Sequence, residues 1–202
     1  MTPTTLPALA LPGLRLRRLR LDDAEAWAAY ITLPEVMRHT SSTASTVAEV
    51  AAVIERGLER EPASPVHFAI VETDGGRLVA HVGFHTVSPL NRSAEITYDV
   101  HPERWGRGLA RAACEAAVRW GFADRGWHRV QATTLESNLA SQAVLRHCGF
   151  VLEGKLRAFR VVRGEPRDYL MFSRLPGDRP LEATQGAAAP PHIAEADRLR
   201  PG

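Results

Sequence analysis

The chain has 202 residues, a formal net charge of +2 at pH 7 and a composition that is 45% hydrophobic and 24% charged. Such values are typical of one globular domain with a buried core. They do not indicate a nucleic-acid-binding protein, because the arginines are spread over the chain and form no basic cluster. No apolar run approaches the 18 residues of a membrane-spanning helix, so no membrane partner is expected.

The cysteines and the N-terminal residues predict the compartment. Only Cys114 and Cys148 occur, each inside a helical pattern, which is typical of a reducing environment without a disulfide framework. Residues 1–13 are apolar, but they carry no basic segment and three prolines interrupt them, so a signal peptide is not expected. The sequence therefore predicts a cytoplasmic protein.

Hydrophobic periodicity in the first half of the chain predicts a strand, two helices and three further strands. Leucine alternates with arginine from residue 14, and Asp22 and Asp23 then mark a helix start. Residues 73–76, Thr-Asp-Gly-Gly, are a strong hairpin signal. The predicted ranges are a strand at 14–21, helices at 22–33 and 46–60, and strands at 66–72, 77–86 and 94–100.

The second half alternates helices and strands before its composition changes. The predicted ranges are a helix at 107–123, a strand at 129–134, a helix at 137–147 and strands at 150–156 and 168–175. This order predicts a single α/β (α+β) domain, in which helices flank both faces of a mixed, mostly antiparallel twisted sheet. The domain is expected at 14–175, between an N-terminal extension at 1–13 and a flexible Pro/Ala-rich tail at 176–202.

A glycine-rich turn between a strand and an alanine-rich helix is the main functional signal. A helix N-terminus presents unpaired N–H groups and the positive end of its dipole, which together stabilise an anion by about 0.3–1 kcal/mol. Gly106 and Gly108 allow the backbone to turn sharply and approach a diphosphate, and Arg104 and Arg107 add positive charge. The turn therefore predicts a pyrophosphate site.

Two other nucleotide motifs do not fit this turn. Arg111 stands where the dinucleotide fingerprint needs a third small residue, and no Gly-Lys-Ser/Thr triplet of a phosphate loop occurs in the chain. The alternative for the turn itself is an ordinary strand-to-helix connection that contains two glycines and binds nothing.

With three further segments, the turn resembles the GNAT superfamily of acyl-CoA-dependent N-acetyltransferases, and within it the ribosomal-protein N-terminal alanine and serine acetyltransferases. The resemblance covers about residues 14–175. Where the family pattern begins with Gln or Arg this chain has Trp105, and an aromatic residue before Gly-Arg-Gly is similar to the ribosomal-protein group. The segments are Leu-Arg-Arg-Leu with Asp22-Asp23, Ala94-Glu95-Ile96-Thr97-Tyr98, the turn from Trp105 to Ala110, and Asn138-x-x-Ser141 ahead of Gly149-Phe150.

The resemblance implies that acetyl-CoA is the co-substrate. Backbone amides of the turn would hold its pyrophosphate, and the strand that ends at Val100 would splay to hold the thioester. A backbone N–H near Val100 or His101 would polarise the thioester carbonyl. The implied cofactor-binding residues are Val100, Arg104, Trp105, Gly106, Arg107, Gly108, Leu109, Ala110, Asn138 and Ser141.

Acetyl transfer needs a neutral amine, stabilisation of an oxyanion and a proton for the departing thiolate. The resemblance offers Glu95 as the base, often through water, and Ser141 as the proton donor. Glu95 equally fits a structural carboxylate on its strand, and a helical serine often bonds to its own turn. Tyr98 and Tyr169 are alternative donors.

The acceptor is expected to be a primary amine that attacks directly in a ternary complex. An α-amine costs about 1.4 kcal/mol to deprotonate at pH 7 and a lysine about 4.6 kcal/mol, which favours a protein N-terminus. Arginines in the last hairpin favour an acceptor with a carboxylate or phosphate over a cationic ribosomal one; they are Arg157, Arg160, Arg163 and Arg167. A small-molecule amine (antibiotic, amino acid or polyamine) and a non-catalytic acyl-CoA-binding or sensing module are the alternatives, and a homodimer is left open.

His81 and His85 lie on one face of a predicted strand, as two metal ligands could. No third ligand with suitable spacing is evident in the sequence. We therefore expect these histidines to be packed or solvated, with no metal site.

Overall fold

The computed structural model describes residues 6–38, 40, 44–59 and 61–180. A single sheet of seven strands has the order β1-β2-β3-β4-β5-β7-β6. Neighbouring strands are antiparallel except for β4 and β5, which are parallel. The strands are β1 (Leu14–Arg18), β2 (Val66–Glu72), β3 (Leu78–Ser88), β4 (Ser93–Val100), β5 (Arg129–Leu135), β6 (Val151–Val162) and β7 (Glu165–Arg174).

Helices cover both faces of this sheet, which confirms the fold class expected from the sequence. The helices are α1 (Ala24–Ile31), α2 (Pro34–Met37), α3 (Val47–Leu58), α4 (Leu109–Ala123) and α5 (Leu139–His147). A short 3-10 helix at Leu21–Asp23 precedes α1. Thr46 and Glu49 form a capping box that fixes the start of α3, since each side chain accepts from the backbone of the other.

Strand β2 separates two hydrophobic clusters, because alternate side chains of a strand point to opposite faces. Phe68 and Ile70 belong to the larger cluster, which includes residues of α4 and α5. Ala69 and Val71 belong to the second cluster, with residues of α1, α2 and α3. The helices therefore bury both faces of the central strands.

The two parallel strands are hydrogen-bonded over a short distance only. The pairs are Ser93–Arg129, Ala94–Val130 and Glu95–Gln131. Beyond Glu95, β4 continues along β3, and β5 continues along β7. The strands therefore separate, and a gap opens in the middle of the sheet.

The segments outside the expected domain are partly packed onto it. Leu9 and Leu11 contact the larger hydrophobic cluster. After β7 a turn forms at residues 175–178, and a side chain at Gly149 would meet the carbonyl oxygen of Arg179. The rest of the predicted tail, 181–202, lies outside the described residues. Within the described ranges, no helix is both long and apolar enough to cross a membrane.

Candidate active site

A cavity of about 310 Å³ occupies the gap between β4 and β5. Side chains from both faces of β4 line it, because Tyr98 contacts Ser141 of α5 while Asp99 contacts Tyr30 of α1. The gap is therefore a passage through the sheet. One molecule can reach it from the side of α4 and α5, and another from the side of α1 to α3.

The glycine-rich turn lies at the start of α4. Gly106 and Gly108 have φ values of 71° and 74°, in the left-handed region that favours glycine. The first hydrogen bond of the helix runs from Ala112 N–H to Gly108 O, so the preceding amides of the first turn point out of the helix. A Cβ at either glycine would meet no atom within 4 Å, so the space above these amides is open.

The other residues expected around the cofactor have different surroundings. The indole of Trp105 donates to the Val100 carbonyl oxygen at 2.7 Å, which ties the turn to the end of β4. The Arg104 guanidinium is paired with Glu72, whereas Arg107 has no described partner. The His101 N–H donates to the Val79 carbonyl at 2.9 Å, so it does not supply the expected contact to a thioester.

The side chains of Leu109, Ala110 and Asn138 are engaged within the protein itself. Leu109 is buried in the larger cluster, and Ala110 packs against that cluster. Asn138 is the N-cap of α5, and its side-chain oxygen accepts from Ser141 N–H at 3.0 Å. The side chain of Asn138 therefore fixes the start of α5, whereas the sequence placed Asn138 inside a helix at 137–147.

Ser141 and Tyr98 form a hydroxyl pair on the α5 side of the passage. The two oxygens are 2.9 Å apart. Burial raises the pKa of Tyr98 well above its ordinary value, so the phenol stays protonated at neutral pH. Tyr98 can donate to Ser141, whose own hydroxyl hydrogen is then free to point into the cavity.

Glu95 lies on the opposite face of β4 and is 4% exposed. Its carboxylate accepts from Thr133 at 2.5 Å, from Arg160 at 3.2 Å and from Gln131 at 3.5 Å. His85 lies 3.9 Å away. Glu95 is therefore at the passage, as expected, but three donors already share its two oxygens.

Two hydroxyl groups in the cavity wall have no hydrogen-bond partner among the described residues. They belong to Tyr169 and Thr40. Tyr169 is 1% exposed, and the Arg160 guanidinium lies 5.5 Å from its ring centre, which places it beside the Glu95 cluster. Buried hydroxyls are rarely unpaired, so both hydroxyls are available to bond a water molecule or a ligand in the passage.

A row of hydrogen-bonded side chains crosses three strands at the α1 side of the cavity. His67 Nδ1 lies 2.9 Å from His81 Nε2, and His81 Nδ1 lies 3.0 Å from Asp99 Oδ2. Asp99 Oδ1 accepts from Tyr30 at 2.5 Å and from Trp27 at 3.1 Å. His81 is therefore packed, as one of the two expected alternatives, and it is also hydrogen-bonded in this row, which could not be predicted without the strand register.

An arginine groove adjoins the passage, and Leu135 lines both. Arg38, Arg163 and Arg167 line this second cavity, of about 580 Å³. Arg163 donates to the carbonyl oxygens of Met37 and Thr40, and neither of the other two has an acidic partner in the described part of the chain. The groove therefore suits an anion. Among the described residues, no three His, Cys, Asp or Glu side chains are placed to hold a metal ion.

Comparison with known proteins shows which proteins this chain is similar to. The family model of the acetyltransferase (GNAT) domain matches residues 13–151. The uncharacterised N-acetyltransferase YoaA of Bacillus subtilis is 31% identical over 170 residues, which are 83% of this chain and 96% of YoaA.

Two relatives from Escherichia coli differ in what their names say they acetylate. Ribosomal-protein-serine acetyltransferase is 26% identical over 144 residues, 70% of this chain and 75% of that protein. Spermidine N(1)-acetyltransferase is 26% identical over 125 residues, 57% of this chain and 67% of that protein. A solved structure, Mycobacterium smegmatis RimJ in complex with CoA-disulfide, has a TM-score of 0.71 at 29% identity and covers 81% of this chain and 82% of RimJ.

Proposed function

This chain belongs to the GNAT family and is an acetyl-CoA-dependent N-acetyltransferase, and we propose that its acceptor is a primary amine whose molecule also carries an anionic group. The first candidate is the α-amine of a protein N-terminus followed by an acidic residue. A small amine with a carboxylate or phosphate is the second. The reaction proceeds by direct attack in a ternary complex.

The arginine groove is the observation that carries this acceptor class. Arg38 and Arg167 are exposed cations without acidic partners in the described part of the chain, and the groove meets the passage at Leu135. A guanidinium pairs well with a carboxylate or phosphate, and it repels a polyamine. An acceptor with its amine at Glu95 and its anion in the groove satisfies both sites.

The start of α4 fits the pyrophosphate of acetyl-CoA. Its outward amides and the space above Gly106 and Gly108 suit a diphosphate, and Arg107 adds a charge. Acetyl-CoA supplies the thioester whose carbonyl carbon the amine attacks. The gap after Glu95 leaves room for that thioester between β4 and β5.

Glu95 and Ser141 are the side chains proposed to act on the reactants, from opposite sides of the gap. The Glu95 carboxylate attracts the ammonium group of the acceptor and orients it toward the gap. Ser141, supported by Tyr98, donates a hydrogen bond to the departing sulfur. Direct attack agrees with the cavity wall, because no cysteine is among its described residues.

Calorimetric titration followed by an acceptor screen tests the proposal. Acetyl-CoA should bind the purified protein, and CoA release should then be measured with peptides beginning Ala or Ser followed by acidic or basic residues. Amino acids, amino phosphates and spermidine complete the set. We expect the acidic peptides or an anionic amine to have the highest kcat/KM.

The other possible results of these measurements support the alternative functions. A preference for spermidine would overturn the anionic acceptor and support the polyamine alternative. Binding of acetyl-CoA without CoA release from any acceptor would support a non-catalytic sensing module. Sedimentation of the same sample tests the homodimer, which stays a prediction.

A further inference from the structure

His85 lies beside Glu95 at the point where the gap opens, and the steps above give it no role. The two residues are paired across β3 and β4, and both side chains line the cavity. His85 Nε2 lies 3.9 Å from Glu95 Oε1. Because the His85 side chain is 34% exposed, the imidazole is in contact with solvent as well as with the cavity.

An irregularity in β3 sets the position of this imidazole. Ser88 is three residues after His85, whereas its partner Ser93 is only two residues before Glu95, so β3 carries one extra residue here. Thr86, in this bulge, has a φ of 50°, which is strained for a β-branched residue. Its hydroxyl oxygen lies 2.8 Å from His85 Nδ1. Strain of this kind persists where the surrounding structure enforces it, and it is frequent at functional sites.

The contacts of the two ring nitrogens determine which of them carries the proton. The 3.9 Å from Nε2 to Glu95 is too long for a hydrogen bond, whereas Nδ1–H has the Thr86 hydroxyl as its acceptor. Nε2 of His85 therefore has a free lone pair at the cavity. Two atoms 3.9 Å apart can both lie within about 3 Å of one nitrogen, so an amine held by Glu95 also reaches Nε2.

We propose that His85 is the general base of the reaction and takes the protons of the acceptor amine that Glu95 holds. His85 is the catalytic residue in this step, and Thr86 is the positioning residue that fixes its ring. The inference rests on the proposed function for its substrate, whereas the protonation of the ring can be measured without any substrate.

An ammonium acceptor must lose two protons, and His85 takes them one after the other. The first moves from the ammonium to Nε2 before the attack, which leaves the lone pair that bonds to the acetyl carbon. The imidazolium then passes this proton to solvent through its exposed edge. The nitrogen now bonded to carbon is positively charged, and its surplus proton moves to the same Nε2.

The charges and atoms balance over the whole step. As the second proton leaves the nitrogen, the thioester C–S bond breaks and its electron pair goes to sulfur. The sulfur departs as a thiolate that accepts the hydrogen bond of Ser141, and it then takes a proton from water. An ammonium and a thioester thus give an amide, a thiol and one proton released to solvent.

The charges around His85 suit a base that is neutral before the reaction. The titratable or charged groups that face it are Glu95 on β4, Arg160 on β6, His81 on β3 and His67 on β2. Burial lowers the pKa of His85, Glu95 raises it, and Arg160 and His81 lower it. The net direction is downward, so His85 is unprotonated at pH 7, and the nearby carboxylate stabilises the imidazolium once it forms.

Glu95 is less suited than His85 to accept the protons. Thr133 and Arg160 both donate to its Oε1, and Gln131 donates to its Oε2, so its lone pairs are largely engaged. The positive charge of Arg160 also favours the loss of a proton from a nitrogen held beside it. In this division of roles, Glu95 holds the nitrogen and His85 deprotonates it.

The pH dependence of kcat/KM tests this division of roles. With the best α-amine acceptor of the screen, the wild-type protein should give a nearly flat profile from pH 6.5 to 8. His85→Gln leaves only the free amine reactive, so its kcat/KM should be about 100-fold lower at pH 6.5. It should then rise about tenfold per pH unit toward the amine pKa near 8. The acceptor KM should change little, because Glu95 remains.

Control variants separate the loss of the base from general damage. His128→Gln, on the exposed surface, should keep the flat profile. Glu95→Gln should raise the acceptor KM and keep the flat profile. Wild-type affinity for acetyl-CoA shows that His85→Gln is folded. A flat profile in His85→Gln would overturn the proposal, and so would a tenfold slope in Glu95→Gln with an unchanged KM.

Thr86→Val applies the test without removing the imidazole. The substitution keeps the shape of the side chain and deletes the acceptor of Nδ1–H, so the proton can move to Nε2 and block the base. We expect kcat to fall about tenfold with little change in KM. Wild-type kcat in Thr86→Val, together with an unchanged ring proton, would remove Thr86 from the proposal and leave His85 without a fixed orientation, which overturns it.

Nitrogen-15 NMR of the histidine rings locates the proton without turnover. In the wild-type protein near pH 7, His85 should carry its proton on Nδ1 and none on Nε2, and Thr86→Val should shift the proton toward Nε2. A proton on Nε2 in the wild-type protein would rule out the proposed base. Failure of the acceptor screen would leave this NMR result unchanged, so the two proposals can fail separately.

Discussion

The hydroxyl of Tyr169 is a buried donor without a partner among the described residues. An unsatisfied buried hydroxyl costs about 1–3 kcal/mol. Tyr169→Phe should therefore raise the Tm of the free protein by about 2–4 °C, and raise the acceptor KM about fivefold because a bond to the acceptor is lost. Thermal unfolding and steady-state kinetics check both effects. Unchanged acceptor KM would place the hydroxyl outside the acceptor site.

Ser141 is the proposed hydrogen-bond donor to the departing sulfur, and its substitution tests that role. Ser141→Ala removes the hydrogen bond to the departing sulfur, so kcat should fall about 100-fold while acetyl-CoA affinity is retained. Tyr98→Phe leaves the serine in place and should cause a smaller fall. Single-turnover rates and calorimetry measure the two quantities. Wild-type turnover in Ser141→Ala would remove Ser141 from the mechanism.

Motifs in the sequence point to Glu95 and Ser141, but not to the residues that contact them. Thr133 and Arg160 reach Glu95 from β5 and β6, and that meeting depends on strand register. His81 and Asp99 become direct partners only once β3 and β4 are aligned. Residues paired across strands are far apart in the chain, so a single sequence cannot bring them together.

The proposed pyrophosphate site at the first turn of α4 can be tested by substitution. Gly108→Glu places a carboxylate where the pyrophosphate of acetyl-CoA is proposed to bind, so affinity should fall about 100-fold or more. Gly75→Glu is a matched control, because Gly75 has nearly the same φ, 72°, and open space around it. Calorimetry should show normal binding in the control. Equal losses in both variants would indicate general strain.

The helices and strands with a clear hydrophobic period are predicted from the sequence to within a few residues. The four-residue helix α2 is missed, since it is too short to show a period. The final hairpin is longer than expected, at 151–174, because exposed polar residues hide its alternation. Its length matters for the site, since it brings Arg160 to Glu95.

The whole molecule should lose stability in acid partly through His67. Its pKa is lowered to about 2 by burial, against an ordinary value of 6.5. Below pH 6.5 the unfolded chain binds a proton there that the folded protein does not. The free energy of unfolding should therefore fall by about 1.4 kcal/mol per pH unit from pH 6.5 to 4.5 through this group.

Comparison with His67→Gln isolates that contribution from other titrating groups. Arg129 and Ser173 lower the pKa of Glu153 to about 2, but this carboxylate contributes equally in both proteins. Urea unfolding at several pH values gives the slopes. We expect the variant to have the shallower slope, whatever its absolute stability. Parallel slopes would show that His67 is protonated in the folded state.

The three residue pairs that join β4 to β5 also have a mechanical consequence. Among the described residues, the strand pairing between β4 and β5 is limited to these three pairs, so the sheet consists of a four-stranded part, β1 to β4, and a three-stranded part, β5 to β7, joined over a short length. A ligand bound in the open part of the gap contacts both parts of the sheet and restrains their movement relative to each other. Amide exchange along the facing edges of β4 and β5 then reports occupancy directly, even for a ligand that is never turned over.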